Sequence, residues 1–93
     1  MVPEIRKGNE KILLVEDEEG IREFATSVLS MHGYNIIQAA NARQAIDLFE
    51  KEDGKFDLIF SDVVLPDQDG LKLVNTLLKL KPGLRILLSS GYT

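Results

Sequence analysis

The chain has 93 residues, 44% hydrophobic and 28% charged, the balance of a single folded domain with little room for a second. Its net charge of −4 argues against a nucleic-acid partner, and the absence of cysteine excludes disulfides, thiolate catalysis and cysteine zinc sites. The longest apolar runs, Ile12 to Val15 and Ile86 to Leu88, are far too short to span a bilayer, and residues 1–10 lack the apolar stretch of a signal peptide, so an intracellular, cytoplasmic chain without membrane contact is expected.

Residues 1–10 (MVPEIRKGNE) mix Pro, Gly and charge without periodicity and read as a linker or tail, which leaves residues 11–93 as the domain. Lys11 to Glu16 is a short apolar run ending in acids, the pattern of a strand buried on both faces. Ile21, Phe24, Ala25, Val28 and Leu29 then recur at helical spacing, and Gly33 closes that helix. Asn35 to Ala40 forms a second strand. Asn41 and Gln44 stand as N-cap and capping-box partner of a second helix, with Ala45, Ile46 and Phe49 on one face.

Asp53-Gly54 signals a turn, and Phe56 to Phe60 is a third strand that ends in Ser61-Asp62. A loop with Pro66 runs from Val63 to Asp69. Gly70 opens a third helix with Leu71, Val74, Leu77 and Leu78 on its buried stripe; Pro82-Gly83 ends it, and Arg85 to Ser89 is a fourth strand. The order β-α-β-α-β-α-β implies right-handed crossovers and an α/β fold with a parallel sheet between helices.

In open parallel sheets, ligands bind beyond the carboxyl ends of the strands where the strand order reverses. The first strand here ends in Glu16-Asp17, the third in Asp62 and the fourth in Ser89-Ser90. If the first and third strands are neighbours, three carboxylates converge on one crevice. Three like charges raise one another's pKa values unless a cation sits among them, and oxygen ligands with room for water suit Mg²⁺. Glu18 and Glu19 read as a solvated turn before a helix. The run Asp67 to Gly70 does not make a calcium loop: with Gly70 at the sixth place, Leu65 and Thr76 fall at the first and twelfth. His32, the only histidine, sits in the last turn of a helix, where a dipole contact explains it.

Three motifs in this order resemble the receiver domain of two-component response regulators. Lys11 to Glu18 (KILLVEDE) is similar to the family's first strand and acidic pair. Phe56 to Gly70 (FDLIFSDVVLPDQDG) is similar to the phosphoacceptor strand and its loop, and Ile86 to Gly91 (ILLSSG) to the fourth strand with its switch hydroxyl. The likeness runs in register from about Lys11 to Thr93. It implies a three-layer α/β/α, flavodoxin-like fold with sheet order 2-1-3-4. It also implies that Asp62 is the nucleophile that becomes an aspartyl phosphate. Mg²⁺ would be held by Glu16, Asp17, Asp62 and the backbone carbonyl of Val64, with Glu16 in place of the commoner Asp. Ser90 would be the hydroxyl that senses the phosphate, and a sensor histidine kinase, in another protein or in the same parent chain, the donor.

The family pattern continues with a fourth helix, a fifth strand ending in a phosphate-pairing Lys, and a fifth helix, whereas the 93 residues end before those positions. The expected sheet therefore has an apolar edge at residues 85–89 and an incompletely covered face, which predicts self-association. The alternative function is a structural or dimerisation module that keeps the fold without phosphorylation. A small Mg²⁺-dependent phosphohydrolase is disfavoured, because Val64 occupies the place of that chemistry's general acid.

Overall fold

The computed structural model describes residues 10–89, so the linker expected at residues 1–10 lies almost wholly outside the described residues, as does Ser90. Strands β1 (Lys11–Val15), β2 (Asn35–Ala39), β3 (Leu58–Asp62) and β4 (Ile86–Ser89) alternate with helices α1 (Glu19–Met31), α2 (Ala42–Lys51) and α3 (Gly70–Leu80). All strand pairs are parallel, in the order β2-β1-β3-β4. The central strands β1 and β3 are the most buried, because a strand with neighbours on both edges and layers on both faces meets little water.

Successive side chains of a strand point to opposite faces. On one face Leu13, Val15, Ala39 and Ile59 form a single core with Ala42, Ala45 and Phe49 of α2 and Leu73 and Leu77 of α3. The Phe49 ring stacks on Phe56 with centroids 5.9 Å apart and closes the far end of that core. Ile12, Leu14 and Phe60 point to the other face, where Ile21 and Ala25 of α1 approach Leu14 and Phe60. The architecture is the three-layer α/β/α fold expected.

Details differ from the sequence reading in instructive ways. The buried stripe of α3 is Gly70, Leu73, Val74 and Leu77, whereas Leu71 is 52% exposed. Glycine is invisible to an apolar-pattern reading, yet it is the first member of this i, i+3, i+4, i+7 stripe. A Cβ at Gly70 would lie 2.8 Å from Val63 Cα and 2.9 Å from Val63 O, and closer still to the main-chain oxygen of Asp62. That contact sets the helix's rotation. The expected capping box at α2 is also modified. Asn41 Oδ1 accepts from the Gln44 N–H at 2.8 Å, but Gln44 Oε1 reaches back to the N–H of Ala40, not Asn41.

Helix α1 carries the expected apolar spacing without burying it. None of its residues is buried, and Phe24 and Met31 are 71% and 82% exposed. One helix alone lies on this side of the sheet among the described residues, and none of them covers Phe24 or Met31 on its outer side. The helix ends as expected at Gly33, whose φ of 92° lies in the left-handed region that favours glycine. Finally, β3 starts at Leu58 and reaches Asp62, while Asp57 precedes it and accepts from the Lys11 main-chain N–H at 2.7 Å.

Candidate functional site

The register between β1 and β3 pairs Val15 with Ser61, so Glu16 and Asp62, each one residue further on, emerge side by side at the carboxyl end of the sheet. The Glu16 N–H continues the ladder to Ala39 O at 3.0 Å, and Glu16 Oε2 accepts from the Glu18 N–H at 3.0 Å. Asp62 is 7% exposed, and its Oδ1 accepts from the Val64 N–H at 3.1 Å. Asp17 is exposed and Glu16 half-buried. One carboxylate oxygen from each of Glu16, Asp17 and Asp62 lies within 4.8 Å of the others. A small cavity of about 80 Å³ between α1 and the sheet opens on Glu16 and Asp62.

This crowding leaves an electrostatic trace. Loss of hydration lifts the Glu16 carboxyl above its ordinary 4.5; the Glu18 amide pulls it back, and the Asp62, Asp17 and Glu18 carboxylates push it further up.

The loop after Asp62 is tightly fastened. Val64 forms an isolated antiparallel bridge with Asp69, and the Gly70 N–H donates to Val63 O at 2.6 Å. Asp69 Oδ1 accepts from the Leu71 N–H at 2.8 Å and so caps α3. Asp67 has a role that no local pattern announces. Its two carboxylate oxygens accept from the N–H groups of Ala42 and Arg43, each at 2.9 Å, and so cap α2 from a distant loop. The Ala42 N–H is the largest influence holding the Asp67 carboxyl below 3.8; burial opposes it, and the Arg43 N–H adds to it.

Of the residues singled out from sequence, Glu16, Asp17 and Asp62 are brought together, and Val64 stands beside them, 67% exposed. Ser90 lies outside the described residues, but Ser89 before it is paired in register with Asp62. The ring Nδ1 of His32 lies 2.9 Å from Val28 O, at the end of α1 and away from the cluster. Asp67, Arg22 and Gln38 are the residues that sequence reading passed over. For Arg22 the available signal was a lone basic residue between the apolar Ile21 and Phe24; for Asp67 and Gln38 the partners are distant in sequence and left none.

A family model described as the response regulator receiver domain matches residues 12–93. The chain belongs to that family. Among curated relatives, it is 36% identical to the sporulation initiation phosphotransferase F of Bacillus subtilis over 84 residues, covering 90% of this chain and 66% of that protein. It is also 36% identical to the sensor kinase CckA of Brucella abortus over 85 residues, covering 91% of this chain but 9% of the kinase. The chain thus spans less than two thirds of either relative. Among solved structures, the receiver domain of the hybrid histidine kinase CckA matches with a TM-score of 0.79 at 30% identity, covering 87% of this chain and 79% of that one. The response regulator TrrA of Thermotoga maritima, solved in complex with Mg²⁺ and BeF, matches with a TM-score of 0.81 at 33% identity, covering 90% and 71%. This receiver domain has no helix, among the described residues, long and apolar enough to cross a membrane.

Proposed function

We propose that this receiver domain, residues 11–93, is a phosphoacceptor module of a two-component phosphorelay, in which Asp62 takes a phosphoryl group in a Mg²⁺-dependent reaction. The observation that carries this reading is the convergence of the Glu16, Asp17 and Asp62 carboxylate oxygens within 4.8 Å at the ends of two neighbouring strands. The donor set fits the ion. It consists of oxygens alone, which suit a hard divalent cation, and the exposure of Asp17 leaves room for the waters Mg²⁺ retains. Burial first, and the neighbouring Asp62, Asp17 and Glu18 carboxylates after it, raise the Glu16 pKa, and a bound cation would favour the charged form.

Glu16, Asp17 and Asp62, with the main-chain carbonyl of Val64, would hold the ion, and bound Mg²⁺ would supply charge neutralisation for the phosphoryl oxygens. The chain's own part is positioning. The Val64 N–H holds Asp62 Oδ1, leaving the other carboxylate oxygen to attack phosphorus. A new O–P bond forms as the P–N bond of a kinase phosphohistidine breaks, and the imidazole nitrogen leaves with the electron pair. Ser90, the next residue in sequence after Ser89, would be the hydroxyl that donates to the acquired phosphate, as the likeness to the family's fourth-strand motif implies. The module acts as a signalling element, at most catalysing its own phosphotransfer and dephosphorylation. Its partner would be a histidine kinase in the cytoplasm, with no nucleic acid bound by this acidic domain.

Self-association belongs to the same reading. The strand β4 lies at the sheet edge, and Leu87 on it, 49% exposed, shares a face with Phe60 and with the exposed stripe of α1. A second copy is the proposed occupant, because any second copy brings the same exposed apolar residues to meet them.

Incubation with Mg²⁺ and acetyl phosphate, followed by intact-mass measurement, tests the phosphoacceptor role. The expected result is one added phosphoryl group on the wild type and none on Asp62→Asn; an equal adduct on both would sink the assignment.

A further inference from the structure

Glu16 is held at every main-chain polar group, and one of the holds comes from a residue that no motif assigns. Its N–H is tied to Ala39 O of β2, and its carboxylate to the Glu18 N–H. Its carbonyl oxygen accepts from Arg22 Nη1 at 2.8 Å, and Arg22 Nε donates to Gln38 Oε1 at 3.1 Å. Gln38 lies on β2 opposite Leu14, on the face that α1 covers. One half-buried guanidinium therefore joins the first turns of α1, the end of β1 and the edge strand β2.

The choice of residue and acceptor is informative. Arginine presents donors in a rigid fork that a lysine ammonium cannot reproduce, and here the fork spans a backbone carbonyl and a side-chain amide. The charged head is bound to the main chain of Glu16 and not to the carboxylates of the cluster, so their oxygens stay available. It fixes the turn that carries Glu16 and Asp17 without occupying their ligand atoms.

We propose that Arg22 is a positioning residue for divalent-cation binding: with Gln38 as its anchor, it clamps the Glu16–Asp17 turn in the geometry that presents both carboxylates beside Asp62. This rests on the Mg²⁺ reading of the cluster. The proposal makes a prediction with a definite sign. A guanidinium near a cation site disfavours the cation through charge, so charge alone predicts that removing Arg22 tightens Mg²⁺ binding. A clamp predicts the reverse. Loss of a group that orients metal ligands typically weakens affinity by about 10–100-fold, and for this solvent-facing site the lower end, about tenfold, is expected.

The test is calorimetric Mg²⁺ titration of the wild type, Arg22→Ala, Arg22→Lys and Gln38→Ala, with thermal melts to verify folding. In parallel, hydrogen exchange of the Glu18 amide is followed without metal, since that amide is bound to the Glu16 carboxylate. The expected results are roughly tenfold weaker binding in Arg22→Ala and weakened binding in Arg22→Lys despite its retained charge. Gln38→Ala should weaken binding less, and combining it with Arg22→Ala should add little further, since the two act as one unit. Glu18 should exchange faster in every variant. Folded variants that bind Mg²⁺ as tightly as the wild type, or more tightly, overturn the proposal, as does unchanged Glu18 exchange. If Arg22→Ala fails to fold, Arg22→Lys and Gln38→Ala make the same comparison. A wild type that binds no Mg²⁺ defeats the cation reading and this clamp's metal role with it, whereas wild-type binding without an effect of the variants defeats the clamp alone.

Discussion

Asp62 and Asp67 lie on one short stretch of chain yet face opposite electrostatic demands. Asp62 is 7% exposed beside two further carboxylates, and a buried charge of this kind is stable only when hydrogen-bonded and compensated. Removing one of the three charges should therefore be felt in cation affinity. We expect Asp17→Asn to weaken Mg²⁺ binding by about tenfold or more in a calorimetric titration. Unchanged affinity would remove Asp17 from the ligand set. Asp67, in contrast, is compensated by two helix N–H groups, which hold its carboxyl below 3.8. On unfolding it regains its ordinary value, so between the two values the unfolded chain binds the extra proton. This contribution to stability is complete above 3.8 and is lost as pH falls through the lowered folded value. Asp67→Asn can still cap the helix but has no such proton to gain. Between about pH 5 and pH 3, it should lose less stability than the wild type in urea unfolding; equal losses would show that the cap is not ionic.

At the scale of elements, Gly70 decides how α3 sits. Replacing a helical glycine by alanine ordinarily gains about 1 kcal/mol from propensity. Here the added methyl would meet the main chain of Asp62 and Val63, which cannot turn aside as a side chain could. Overpacking of this kind costs about 1–3 kcal/mol or more, so the clash should win and Gly70→Ala should unfold at lower denaturant. A more stable variant would mean that α3 docks differently. The same glycine shows where sequence reading stops. The strands, the cap at Asn41 and the acidic strand ends were all legible, because each depends on residues a few positions apart. The rotation of α3 was not, since its first contact is made by a residue without a side chain. Nor were the Asp67 cap on α2 and the Arg22 link to Gln38, which join residues 25 and 16 positions apart through folding alone. Helix α1 was read correctly as a helix, but its periodicity could not reveal that Ala25 would meet the sheet while Phe24 beside it stayed 71% exposed.

For the whole molecule, such exposed apolar side chains are the clearest physical liability. Phe24 and Met31 on α1 and Leu87 on β4 remain exposed to water, and they are the residues on which the proposed self-association rests. The 93-residue chain should dimerise at micromolar concentration in sedimentation velocity, and Phe24→Glu should return it to a monomer. A wild type that sediments as a monomer across that range would contradict the proposed interface. Dimer or monomer, the acidic cleft is built within one chain, since β1 and β3 supply all three carboxylates. The most direct test of its function reads the chemistry at a single residue. The chain is incubated with Mg²⁺ and acetyl phosphate, any acyl phosphate is reduced with borohydride, and position 62 is identified by peptide mass spectrometry. The phosphoacceptor account predicts homoserine at position 62, formed only when Mg²⁺ is present. Unaltered Asp62 under those conditions, or reduction at another carboxylate, would contradict it.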